Sequence, residues 1–164
     1  MKQEDVCPVL DYAITMDEDH SDLPAKDILL SDSLSVLSSE AFTCCSEYTA
    51  DYVIDHVVDV PEISVFRALH GWAQEQWLLT PASVDGQPEL RALMKPFFPK
   101  LRFLALTAEE FISGPNLWRI LNDHEARAVL SSIVKKGSLP LPDGFSSVVY
   151  PREYGVEGSP LNTP

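Results

Sequence analysis

The stretch Val58–Leu79, VDVPEISVFRALHGWAQEQWLL, constrains the fold more than any other. On a helical period Ile63, Phe66, Leu69 and Ala73 share one stripe. Val65, Leu69, Trp72 and Gln76 share the next stripe round. Two adjacent stripes make an apolar face too wide for a lone surface helix, so the pattern predicts a helix buried against several others. Its start is marked. Asp59 is the candidate cap, and Pro61 fits the first turn, where its missing N–H costs nothing. Glu62 then lies where the helix macrodipole favours negative charge. The expected architecture is all-α: a compact array of short antiparallel helices packed on a central helix near residues 61–77.

Composition supports that reading. A chain of 164 residues with 45% hydrophobic side chains makes one domain with a real core. The net charge of −13 is unevenly placed: residues 1–62 hold 15 acidic and 2 basic side chains, and the remainder 10 of each. Phosphate contacts need clustered Lys and Arg, so nucleic acid is disfavoured as a partner. The acidic front is expected to keep an exposed segment in solution. Three Cys, two of them adjacent, make no disulfide framework and read as reduced thiols of a cytoplasmic or nuclear protein. The start, MKQEDVCPVLDY, lacks the apolar run of a signal peptide. No segment approaches the ~18 apolar residues of a membrane span, so no membrane partner is expected.

Three zones follow. Residues 1–24 carry the run Asp17–Asp22 and apolar residues without sustained periodicity, and read as an acidic, weakly ordered segment. Residues 25–147 hold the helical patterns. Ile28, Leu29, Leu34, Val36 and Leu37 suggest one or two short helices broken near Ser31–Ser33. Ser38-Ser39-Glu40 before Ala41 and Phe42 resembles a helix start, and Ser46 can cap the next helix; in that helix Tyr52 and Val53 lie on one side, with Tyr48 a turn earlier. These helices are too short to stand alone and must lean on the central one. Thr80, Pro81, Asp85, Gly86 and Pro88 mark a loop. Leu90, Leu93 and Met94 point inward from a short helix, and Pro96 and Pro99 bend the chain around Phe97 and Phe98. Thr107–Glu110 is a capping box, with Phe111 and Ile112 on the buried side before Gly114-Pro115 ends the helix. Asn122–Glu125 repeats the arrangement, with Asn122 or Asp123 as the cap, and Lys135, Lys136 and Gly137 close that helix. Residues 148–164 read as a Pro/Gly-containing tail.

No catalytic chemistry emerges from these residue types. His20, His56, His70 and His124 share no i, i+4 spacing and join no Cys in a zinc pattern, so no metal is expected. The Asp-His neighbours point about 100° apart on a helix, and adjacency alone cannot wrap them round a metal. Cys44 or Cys45 with a distant His would be the nucleophile of a small hydrolase, but no protease signature surrounds them and inert thiols are expected. There is no phosphate-binding Gly loop, nucleophile elbow or paired-carboxylate motif, so no cofactor is expected. Trp72, Trp77 and Trp118 read as core. The residues alone describe a non-enzymatic helical interaction module.

The order of motifs adds a resemblance. Ser39-Glu40-Ala41-Phe42, about twenty residues, then Glu62-Ile63-Ser64-Val65-Phe66-Arg67-Ala68-Leu69-His70-Gly71-Trp72 resembles the BACK domain that follows the BTB domain in BTB–Kelch and related adaptors. Lys100-Leu101-Arg102-Phe103 and Leu106-Thr107-Ala108-Glu109-Glu110-Phe111 are similar to the family's downstream segments, as is Leu139–Phe145. The similarity covers about residues 26–147. It implies a helical spacer in a substrate adaptor for cullin-3 ubiquitin ligases, with cullin or BTB-containing proteins as partners. Its signature positions here are Ser39, Glu40, Phe42, Glu62, Val65, Phe66, Leu69, Trp72, Arg102, Phe103, Thr107 and Phe111. No BTB domain fits before residue 26 and no Kelch repeat follows residue 147. The alternative is a stand-alone helical module unrelated to ubiquitination that meets a basic partner through the acidic front.

Overall fold

The computed structural model describes residues 1–19, 23–81 and 89–152. His20, the turn residues Asp85, Gly86 and Pro88, and the tail after Arg152 lie outside the described residues. Among the described residues the fold is all-α, and the only β feature is an isolated antiparallel bridge between Val60 and Arg152. The α-helices in order are α1 (Gln3–Thr15), α2 (Pro24–Ser31), α3 (Ser33–Leu37), α4 (Glu40–Cys44), α5 (Glu47–His56), α6 (Glu62–Leu79), α7 (Leu90–Met94), α8 (Ala108–Phe111) and α9 (Asp123–Val134).

The longest helix, α6, forms where the double stripe predicts it and buries Ile63, Val65, Phe66, Leu69, Trp72 and Ala73. It packs on α3, α4 and α7. Its entry differs from the expectation. Pro61 is the extended residue just before the helix, with φ −59° and ψ 134°, and the first helical residue is Glu62. Asp59 is no cap: it sits in the left-handed region at φ 53° and turns the chain towards the helix.

Residues 1–24, expected to be weakly ordered, instead supply α1. Its buried face is Val6, Cys7, Leu10 and Ala13, which sit on helical spacing. Pro8 lies inside this helix and removes one backbone donor. Tertiary packing therefore holds α1 against α2, α4 and α5. The Asp11 carboxylate completes the join. Its Oδ1 accepts the Ser46 hydroxyl at 2.7 Å and the Thr49 hydroxyl, and the Ser46 N–H lies at 3.2 Å. Ser46 in turn accepts the Thr49 N–H at 3.2 Å and caps α5. One acidic side chain thus orders the start of a second helix 35 residues away.

The break between α2 and α3 falls at Asp32, inside the Ser31–Ser33 span. In α5 Val53 is buried and Tyr52 half-buried, but Tyr48 is 76% exposed. Both capping boxes form: Thr107 with Glu110, and Asn122 with Glu125. Phe111 is buried as expected, but Ile112 is 50% exposed. Nor does Gly114-Pro115 stop the helical path. A wider-pitched turn, Ile112–Asn116, continues through Gly114, whose φ −112° and ψ −106° mark a kink. A Cβ there would stand 3.3 Å from Ile63 Cδ1 and 3.5 Å from the Trp118 ring, so the kink is packed against α6.

Candidate functional site

Two places carry more than packing, and both lie on α6. The first is at its N-terminus. Glu62 is 3% exposed. Its Oε1 accepts the Arg102 N–H at 3.0 Å and Arg152 Nη2 at 3.3 Å, and its Oε2 accepts Arg152 Nε at 2.9 Å. Arg152 also donates through Nη1 to the Ile54 carbonyl at 2.5 Å and through Nη2 to the Lys100 carbonyl at 2.8 Å. All three guanidinium nitrogens are used, so the buried charge is both paired and hydrogen-bonded. The Arg102 side chain donates to the carbonyls of Tyr150 and Pro151 at 3.1 and 3.0 Å, and its guanidinium carbon lies 5.4 Å from the Tyr150 ring centroid. Residues 148–164, read as a plain tail, therefore contribute a core residue at 152. A single Arg beside a Pro carried no signal for this, because its partners lie 52 to 98 positions away.

The second place is the C-terminal half of α6. Gln74, Trp77, Leu78, Glu89, Leu90, Arg91, Trp118 and Arg119 line an open groove of about 580 Å³. Trp77 is 36% exposed and Leu78 66%, while Trp118 is half-buried and stacks on His70 with ring centroids 4.2 Å apart. Of the three Trp read as core, Trp72 is core and Trp77 faces outward. Burial holds the His70 imidazole below its ordinary value. One wall of the groove is braced by Arg91, which donates to both oxygens of Glu125 at 2.5 and 2.8 Å and to the Ile120 carbonyl at 2.8 Å. The Arg91 bonds hold the Glu125 carboxyl below its ordinary value.

The twelve signature residues divide by role. Phe42, Val65, Phe66, Leu69, Trp72, Phe103 and Phe111 are buried in one cluster. Trp72 Nε1 donates to the Cys45 carbonyl at 2.9 Å, and the Trp72 ring meets Phe97 edge-on. Ser39 and Thr107 accept helix N–H groups at 3.3 and 3.1 Å. Glu62 and Arg102 meet at the first place described above, and Glu40 is exposed.

The thiols and imidazoles do not converge. Cys44 is exposed, and Cys7 and Cys45 are buried. A hydrogen bond with Cys7, and burial, push the Cys45 thiol far up, which disfavours a thiolate. His56 is bonded to the Tyr52 carbonyl, His70 lies against Trp118, and His124 is exposed in the first turn of α9. Among the described residues no group of three His, Cys, Asp or Glu is placed to hold a metal, and no helix is long and apolar enough to cross a membrane.

No protein-family model, curated protein or solved structure matches the chain.

Proposed function

We propose that the chain is a non-enzymatic scaffolding module, resembling the BACK spacer of a BTB-type substrate adaptor for cullin-3 ubiquitin ligases. The observation that carries this reading is the fate of the motif residues. Seven of the twelve signature positions join one buried cluster around α6, and two more cap the helices beside it. Core residues of that kind fix the relative positions of surfaces and perform no chemistry themselves. The antiparallel BACK-like arrangement and a cytoplasmic or nuclear setting belong to the same proposal. The partners are then cullin or BTB-containing proteins. Purified full-length chain is expected to co-purify with a cullin-3-type scaffold or a BTB domain in a binary pull-down. Failure to associate with either removes the adaptor reading.

The second reading, a stand-alone module meeting a basic partner, is favoured by the outer side of α1 and the turn after it. Glu4, Asp5, Asp17 and Glu18 are exposed there. Deleting residues 1–24 would remove core side chains, so charge-neutral replacement is the sounder test. Binding that weakens in salt and is lost in Glu4→Gln, Asp17→Asn, Glu18→Gln would support this reading.

A further inference from the structure

The segment Tyr150–Arg152 is held as a receptor holds a peptide. Its main chain joins the body through the bridge to Val60, and Arg102 grips two of its carbonyls. Arg152 enters a pocket whose acceptors all belong to the helical body: the Glu62 carboxylate and the carbonyls of Ile54 and Lys100. The Arg152 and Glu62 side chains keep 6% and 1% of their exposure. Glu62 is oriented by the Arg102 N–H, a bond made without the segment. Tyr150 and Pro151 are exposed, so Arg152 is the one anchor side chain of these three residues. From Ser138 to Pro151 no regular element holds the segment in place. Upstream, the Leu139 carbonyl accepts the Ser132 hydroxyl at 3.1 Å, Leu141 packs against the core, and Phe145 is tilted against Phe98 and Phe103.

We propose that this pocket is an arginine-specific peptide site, filled in cis by Arg152, which accepts in exchange the arginine of an extended segment of a partner chain. Arginine is specified by geometry. The acceptors lie in different directions around a planar fork, and one lysine ammonium cannot reach the Ile54 and Lys100 carbonyls and both Glu62 oxygens together. A neutral side chain would leave the buried Glu62 carboxylate without a counter-charge. Extended backbone is specified by the bridge to Val60, which a partner strand reproduces by edge pairing. The tether gives the cis segment a high effective concentration, so a partner competes only when it is abundant or when the cis segment is drawn away.

The test uses a labelled, C-terminally amidated peptide of residues 146–152, titrated into the full chain by fluorescence polarisation. Arg152→Ala is expected to bind it saturably, and the parent chain at least about tenfold more weakly because its own segment competes. The same peptide carrying Arg152→Lys is expected to bind Arg152→Ala about tenfold more weakly still than the arginine form. Adding Glu62→Gln to Arg152→Ala should abolish binding. If Arg152→Ala loses its helical circular dichroism, the readout becomes recovery: the arginine peptide restores the helical signal and the lysine peptide does not. A folded Arg152→Ala that ignores the arginine peptide overturns the proposal. So does equal binding of the two peptides, equal binding by parent and variant chains, or an unfolded variant that the arginine peptide fails to restore.

Discussion

The five helices before α6 and the segments after it are held by different chemistry. All six Arg of the chain lie after residue 62, and the first 62 residues hold only two basic side chains. Within the front half, short side chains make several of the joins, while Trp72 and Gln76 of α6 reach the Cys45 carbonyl. Asp11 reaches Ser46 and Thr49, and the Ser33 hydroxyl donates to the Leu29 carbonyl and accepts the Val58 N–H. The back half is joined by long ones. Arg91 links α7 to α9, Arg152 links the C-terminal segment to α5 and α6, and Phe66, Phe98, Phe103 and Phe145 form a chain of ring contacts. The cause is backbone regularity. Consecutive helices satisfy their own main chain and meet closely, so a hydroxyl or a short carboxylate suffices at several junctions within the front half. The stretches around 95–106 and 135–152 contain no α-helix, and their carbonyls need donors that reach across several ångströms.

The largest expected effect is where the halves meet. Trp72→Ala should cost about 3–5 kcal/mol in denaturant unfolding, since it removes a buried ring that touches both sides. A loss under about 1 kcal/mol would mean that the α6 face is not core. Leu10→Ala tests whether α1 shares that core: a cost of about 2–5 kcal/mol is expected, and a surface-like value would detach the front from the fold. Asp11→Ala leaves the α1 packing intact and removes only the polar join, so about 1–2 kcal/mol is expected, in line with loss of a helix cap. Lys100→Ala breaks contacts to Asp51 and Asp55, both about half exposed, and less than about 1 kcal/mol should follow.

The back half should also loosen under acid. Arg91 depresses the Glu125 carboxyl in the folded state. The unfolded chain therefore takes up a proton first, and the stabilisation present above about pH 4.3 is lost as pH falls through the folded value. Arg91→Ala should flatten that limb of the stability–pH curve. An unchanged limb would mean that Glu125 is not held by Arg91.

How much of this was legible depends on distance along the chain. Ser39, Ser46, Thr107 and Asn122 bond within three residues, so these helix starts could be read from the sequence to within a residue. The buried stripe of α6 was equally local. The face of α1 was missed because it is built from Val6, Cys7, Leu10 and Ala13, with two small side chains and Pro8 masking the period. The groove was missed because Trp77 and Leu78 continue the apolar run of α6 past the point where neighbours cover it. The Arg152 contacts were out of reach for a different reason: nothing in a tripeptide reports a carboxylate 90 positions earlier.

That separation sets an order of events as the chain is made. Ribosomes add about 5–20 residues per second, so Glu62 precedes its counter-charge by roughly 5–20 s. Over that interval the carboxylate is without the arginine that makes its burial tolerable, and the N-terminal turn of α6 must stay hydrated. The start of α6 is thus sealed by residues that emerge well after it, and a nascent chain halted at Phe145 would hold every helix from α1 to α9 with that seam still open.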